Sequence, residues 1–312
     1  MNPLLSIDIY AIFAFIVGLA FGSFLNVIVY RVPRGLSIVR PKSACPNCGA
    51  GIRAYDNIPV VSWILLRGRC RKCRQPIAAR YAMVELLTGF LFVAAYYFAA
   101  PINSTLEQWL VIKLCIFFFL LLGLIFIDFE HHLLPDALTL PGLAIGLLLT
   151  PMVPVGGMPL FITRRLLSLH WNLAAISLLD AVCGAAIGAF FIYAVGEIYF
   201  RTRGVEGMGF GDVKLMAMIG AFLGPKLTLF TIFVGALVGT IFGVAATLAV
   251  WRKRLARRQR RQEAHATRRS WQSARLMLRY YEVPFGVFLG SMAILSTFIG
   301  NQLVDSYLNL YR

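Results

Sequence analysis

Eight stretches of this chain are apolar and of roughly membrane-spanning length: about 9–30, 83–100, 108–127, 133–152, 173–200, 209–224, 227–250 and 284–307. A hydrocarbon core about 30 Å thick takes roughly 20 helical residues to cross, and lipid offers no partner to an unpaired backbone group, so runs like these become helices. The fold class read from the pattern is an all-α polytopic membrane protein with about eight transmembrane helices. Charge content agrees. Only 14% of the 312 residues are Asp, Glu, Lys or Arg, against roughly 25% in a soluble domain.

The net charge of +16 is clustered, with eleven Lys or Arg between Arg31 and Arg80 and eleven more between Arg252 and Arg279. Such clustering fits loops beside an anionic cytoplasmic leaflet, and the reading is a lipid-membrane protein with no nucleic-acid partner. With the N-terminus outside, both basic segments fall in the cytoplasm, as do the links at 128–132 and 201–208; Arg164 and Arg165 are the exception. The first run is too long for a signal-peptide core and has no basic stretch before it, so it reads as a retained span. The chain then divides into a first transmembrane helix (1–30), a cytoplasmic module (31–82), a transmembrane core (83–251), a basic cytoplasmic segment (252–282), and a last helix with the C-terminus (283–312). The basic segment reads as a membrane-surface helix that anchors topology. No internal repeat is visible, so nothing supports a transporter built from inverted halves.

Within the module, Cys45-x-x-Cys48 and Cys70-x-x-Cys73 are separated by 21 residues. Each pair holds two sulfurs on one tight turn, and two such turns complete a tetrahedral zinc shell. A cytoplasmic module keeps thiols reduced, and four thiolates leave no open position for water, so the zinc is read as structural. Cys115 and Cys183 stand alone in apolar runs and read as small core residues.

The chain has only fourteen carboxylates, and each can be placed. Most fall in loops or at span ends. Asp128 and Glu130 leave the third span, Asp136 follows one turn into the fourth, and Glu206 and Asp212 flank the start of the sixth. Asp128 and Asp212 lie at the same depth. Two aspartates sharing one proton can activate water with one carboxyl and donate to a carbonyl with the other. The residues alone leave a second reading open: interfacial aspartates, with Asp212 favoured by a helix N-terminus. Gly207, Gly209 and Gly211 allow loosely wound backbone and close approach of another chain. Lys214 reads as a phosphate anchor or supporting charge, and His131 and His132 as interfacial. Serine or cysteine peptidase chemistry has no support, because no Ser lies in a nucleophile context and the four His lack suitable partners. A carboxylate-coupled transporter or channel is the alternative that uses the same residues.

Six segments in order resemble the type IV prepilin peptidases, the leader peptidase and N-methyltransferase family: "GLAFGSFLNVIVYRVP", the paired cysteines with "DNIPVVSWILLRGRCRKC", "RYAMVELLTG", "IDFEHHLLPD", "EGMGFGDVKLMA" and "VPFGVFLG". The resemblance implies catalytic roles for Asp128 and Asp212, the latter in a G-x-G-D motif. It also implies prepilin or pseudopilin substrates cut at the cytoplasmic face of the bacterial inner membrane, and methylation of the new N-terminus from S-adenosylmethionine. No Gly-rich nucleotide fold accompanies that second activity; residues 85–89 and the cysteine module are its candidate contributors. The basic insert 252–282 departs from the family pattern.

Overall fold

The computed structural model describes residues 9–100, 102, 104–153, 173–204, 208–260, 267–273 and 284–310. Arg164 and Arg165, Glu206 and Gly207, and positions 261–266 and 274–283 of the basic segment lie outside the described residues. Helices α1 (Ile9–Arg31), α2 (Val61–Leu65), α3 (Arg80–Ala99), α4 (Thr105–His131), α5 (Asp136–Leu149), α6 (Leu173–Arg203), α7 (Phe210–Arg260), α8 (Phe285–Leu295) and α9 (Asn301–Asn309) follow in order. A π-turn at Ser296–Gly300 joins α8 to α9. Among the described residues there is no strand, only isolated bridges at Ala44–Gly51 and Arg69–Pro76.

Among the described residues six helices are long and apolar enough to cross a membrane, and α5, at 14 residues, is a shorter apolar helix. The expected sixth and seventh spans form one 51-residue element, α7, with a break in it. Gly224 adopts φ 73° and ψ 173°, and Pro225 follows it. A left-handed glycine and a residue with no N–H interrupt the helical ladder, so two arms meet at a kink there. At its other end α7 runs through position 252 to Arg260, because the basic sequence WRKRLARRQR contains no helix breaker. Residues 267–273 fold back on it, with Trp271 edge-on to Trp251 and Arg258 donating to the Ser273 hydroxyl at 3.2 Å.

α4 is the hub. Phe117, Phe118, Leu121, Leu124 and Ile127 are fully buried and pack with Leu25, Val84, Met216, Ile219 and Leu289 from four other helices. Inside lipid, apolar side chains gain little by leaving the solvent, so close fit of surfaces decides which helices pair. Three glycine contacts show this. On α1, a Cβ on Gly22 would lie 2.6 Å from the Glu85 Cα of α3, and one on Gly18 would lie 2.7 Å from the Gly89 Cα. Gly184 of α6 and Gly220 of α7 meet backbone to backbone. Large apolar residues left exposed, such as Phe13, Ile16, Phe190 and Phe233, lie on the outer faces of spans, where lipid is their solvent.

The chain order puts the ends of α1 and α4, and the starts of α3, α5, α7 and α8, on the side that carries the cysteine module. Lys226 and Asp305 pair at 2.7 Å on the opposite side. Buried there too is Lys113, whose Nζ donates to the Thr150 hydroxyl at 3.2 Å.

Candidate active site

The last turn of α4 brings Asp128 to the module side, where it is only 6% exposed. Its Oδ2 accepts the N–H of Val287 at 3.0 Å, and the Gly286 backbone also hydrogen-bonds the carboxylate. Pro284 caps the start of α8, so the first-turn N–H groups have no partner within their own helix. A carboxylate set against them satisfies those donors and the positive end of the helix dipole together. Gly286 is required for the fit: a Cβ there would lie 2.9 Å from Oδ2 and 3.2 Å from Leu134 Cδ1.

Asp212 is the third residue of α7, with its N–H bonded to the Gly209 carbonyl at 3.1 Å and its carboxylate bonded by the Gly209 backbone. It lies within electrostatic reach of Asp128, so the structure brings the two expected residues together. Leu134 makes the junction. In the link between α4 and α5 it packs against Gly211, where a Cβ would lie 2.8 Å from its own, and against Gly286. Gly211 is thus a close-approach glycine inside a helical turn. Gly209 lies just ahead of the helix, where a Cβ would make only ordinary contacts, 3.9 Å from the Gly211 nitrogen and 4.0 Å from Asp212 Oδ2.

The flanking charges are partnered. Lys214 Nζ binds both Asp136 oxygens, at 2.6 and 2.8 Å, tying the first turns of α5 and α7. This corrects the phosphate-anchor reading, since the ammonium already holds a carboxylate, and it leaves Asp136 a structural partner. Glu130 pairs with Arg80 at the start of α3, and His131 lies 3.5 Å from Arg34. His132 closes α4 in the left-handed conformation and acts electrostatically on Asp128. The contribution of Gly286 and Val287 escaped the sequence reading; the Pro-x-Gly start of α8 was the available signal.

The four module cysteines are free thiols whose sulfurs all lie within 4.8 Å of one another. Cys45 Sγ and Cys73 Sγ are 3.8 Å apart, as the edge of a tetrahedron with metal–sulfur bonds of about 2.3 Å would require. The two turns repeat each other. Cys45 N–H bonds to Ala50 O, as Cys70 N–H does to Gln75 O, and Gly49 and Arg74 take the left-handed position after each second cysteine. The N–H groups of Cys73 and Lys72 pull the Cys70 thiol down to about 6. The Cys73 thiol, though favoured by the Gln75 N–H, is pushed up to about 11 by partial burial and by Cys70, Cys48 and Cys45. Four crowded sulfurs cannot all ionise until a cation offsets their charge. The site can hold a metal ion.

A multi-pass membrane protein with paired aspartates at one interface and a four-cysteine module on the same side is the class this architecture defines. The chain belongs to the type IV leader peptidase family. Residues 115–244 match the Type IV leader peptidase family and residues 16–99 the Bacterial Peptidase A24 N-terminal domain. It is similar to the prepilin leader peptidase/N-methyltransferase of Myxococcus xanthus (strain DK1622), at 38% identity over 78% of this chain and 65% of that protein, just under two thirds of its length. The protein of the same name from Burkholderia pseudomallei (strain 1026b) is 35% identical over 78% of this chain and 77% of its own. That of Stutzerimonas stutzeri is 30% identical over 100% of this chain and 96% of its own. No solved structure matches the chain.

Gly286→Val should push the Asp128 carboxylate off the α8 amides and lower prepilin cleavage by about 100-fold, since roughly an ångström of misplacement costs that much. Leader removal in isolated membranes measures it, with protein amount as the control.

Proposed function

We propose that the protein is a membrane-embedded aspartic peptidase that removes the leader of prepilins or pseudopilins and then methylates the new amino terminus. The observation that carries this is the convergence of Asp128 and Asp212 from the module-side ends of α4 and α7. One carboxyl takes a proton from water as its oxygen attacks the scissile carbonyl carbon, while the other donates to the carbonyl oxygen. Collapse of the tetrahedral intermediate breaks the C–N bond, and the proton passes to the leaving amine. Asp128 is held in place by the α8 amides, so the geometry is set before substrate arrives.

The basic residues around the module support placing that side in the cytoplasm. Cys45, Cys48, Cys70 and Cys73 hold zinc in a structural role, since four thiolates close its coordination. S-adenosylmethionine is the methyl donor in this reading. A carboxylate-coupled transporter is not favoured, given the family.

The test is to incubate the purified protein with a prepilin and S-adenosylmethionine and weigh the product. Loss of the leader with a methyl gain is expected. A prepilin of unchanged mass overturns the peptidase assignment.

A further inference from the structure

A cavity of about 980 Å³ lies between the cysteine module and the module-side ends of α1 and α3. That is at the upper end of the volumes typical of small-molecule sites. It is separate from the aspartate pair, which contributes no lining residue. Three polar side chains in its wall are more than nine-tenths buried: Asn26 of α1 at 4% exposure, Glu85 of α3 at 8% and Ser62 of α2 at 7%. The Ser62 hydroxyl is already engaged, donating to the Tyr55 carbonyl and accepting the Ile58 N–H.

Their hydrogen bonds define what the cavity can take. Asn26 Nδ2 donates to the Tyr81 carbonyl at 3.0 Å, which fixes the amide so that Oδ1 is the free acceptor, and Oδ1 has no partner among the described residues. A buried acceptor without a donor costs free energy, so a ligand donor is the economical explanation. Glu85 Oε2 accepts the Val60 N–H at 2.7 Å, and the Ser23 hydroxyl also bonds the carboxylate. Val60 stands at φ 61° and ψ −49°, a positive-φ conformation outside the left-handed helical region and a genuine outlier for a β-branched residue. Strain of this kind gathers at functional sites.

The two acceptors share one wall. Gly22 packs on the Glu85 Cα, and Asn26, one turn further along α1, bonds the carbonyl one turn before Glu85 in α3. A carboxylate and an amide oxygen about one helical turn apart suit a ligand rich in N–H donors and positive charge. A primary amine has that chemistry.

Depth links this cavity to the aspartates. Arg80 and Glu130 pair, so the start of α3 and the end of α4 lie level. At about 1.5 Å rise per residue, Glu85 sits roughly 7.5 Å inward of Arg80 and Asp128 roughly 3 Å inward of Glu130. An amino terminus freed at the aspartates stays on the same side of the membrane as the cavity.

The geometry points to this cavity as the methyl-transfer site, where Glu85 and Asn26 Oδ1 hold the new amino terminus for attack on a sulfonium methyl donor. The assignment rests on the N-methyltransferase reading above. Glu85 first takes a proton from the ammonium; the nitrogen lone pair so freed forms the N–CH3 bond as the S–CH3 bond breaks, leaving a neutral thioether and an N-methylammonium. Removing a positioned base of this kind typically costs about 10²–10⁴-fold in rate.

The experiment uses full-length purified Glu85→Gln, Asn26→Leu and, as the conservative variant, Glu85→Asp. Product mass reports leader removal and methylation separately. Fluorescence anisotropy of a peptide carrying the mature, unmethylated N-terminus reports amine binding without donor. Glu85→Gln should cleave within about twofold of the parent but methylate at least about 100-fold more slowly. Peptide binding should weaken about tenfold in Glu85→Gln and Asn26→Leu, with Glu85→Asp intermediate in both readouts. Parental methylation by Glu85→Gln and Asn26→Leu overturns the assignment. Equal loss of cleavage and methylation in all three variants overturns it as well, because a separate site leaves cleavage intact. Cleaved but unmethylated product from the parent protein overturns the methyltransferase reading itself, and this assignment with it.

Discussion

Asp128→Asn and Asp212→Asn should each lower leader removal by at least about 10³-fold while the protein still inserts and accumulates. Neither side of the pair can substitute for the other. One carboxyl must accept a proton from water while its partner supplies one to the carbonyl, and an amide can do neither. The amide is nearly isosteric with the carboxylate, so in Asp128→Asn the new side chain would keep one oxygen for the Val287 N–H, and the fold should survive. Asp136→Asn is the contrasting variant. Its ion pair with Lys214 is largely exposed on the carboxylate side, at 57%, and exposed pairs contribute about 0–1 kcal/mol. That variant should retain cleavage within about tenfold. Cleavage assays on membranes containing equal amounts of each variant decide the matter. Near-parental cleavage by either Asp128→Asn or Asp212→Asn would sink the dyad.

Metal removal should have the second large effect. The purified protein should carry about one zinc per chain by elemental mass spectrometry, and Cys45→Ser or Cys70→Ser should retain less than about a tenth of it. Between residues 35 and 79 only Cys45, Ser62 and Gly68 are buried, so the module has no apolar core to hold it closed. Structural zinc sites contribute about 10–16 kcal/mol of apparent binding free energy, which a segment of this size cannot obtain by burial. Chelation should therefore expose 43–77 to limited proteolysis while the transmembrane helices stay protected. Methylation should fall further than cleavage, because the module walls the cavity around Asn26 and Glu85, whereas Asp128 is held by the backbone of Gly286 and Val287 in α8. Zinc content unaffected by the cysteine changes, or a module equally resistant without metal, would count against a structural metal.

Much of this was legible in the linear chain because it is local. Span lengths, the two Cys-x-x-Cys turns and the clustered arginines each depend on neighbours a few residues away. Among the fourteen carboxylates, equal depth singles out Asp128 and Asp212, and the family motifs favour a pair over two unrelated interfacial residues. Other features lay out of reach. The Gly224–Pro225 break appeared in sequence as a gap between two spans, whereas the structure keeps both arms in one kinked element. The partner of Lys214 is not legible in the linear chain because Asp136 belongs to another helix. The Asp128 contact with Val287 joins residues 159 positions apart, and no local rule pairs a carboxylate with a particular helix start.

The amino-acid sequence alone settled that the chain crosses the membrane repeatedly, that four thiols are poised for a metal, and that very few carboxylates are free for chemistry. Those conclusions follow from transfer of side chains between water and lipid and from ligand spacing, which act residue by residue. Tertiary structure decided which helix ends meet. In lipid the apolar faces of helices are nearly equivalent, so partners are chosen by close fit at residues such as Gly22, Gly220 and Gly286, and that fit exists only once the surfaces are together. It set Asp128 against the amides of α8, gave Lys214 to Asp136, and left Asn26 and Glu85 facing one cavity.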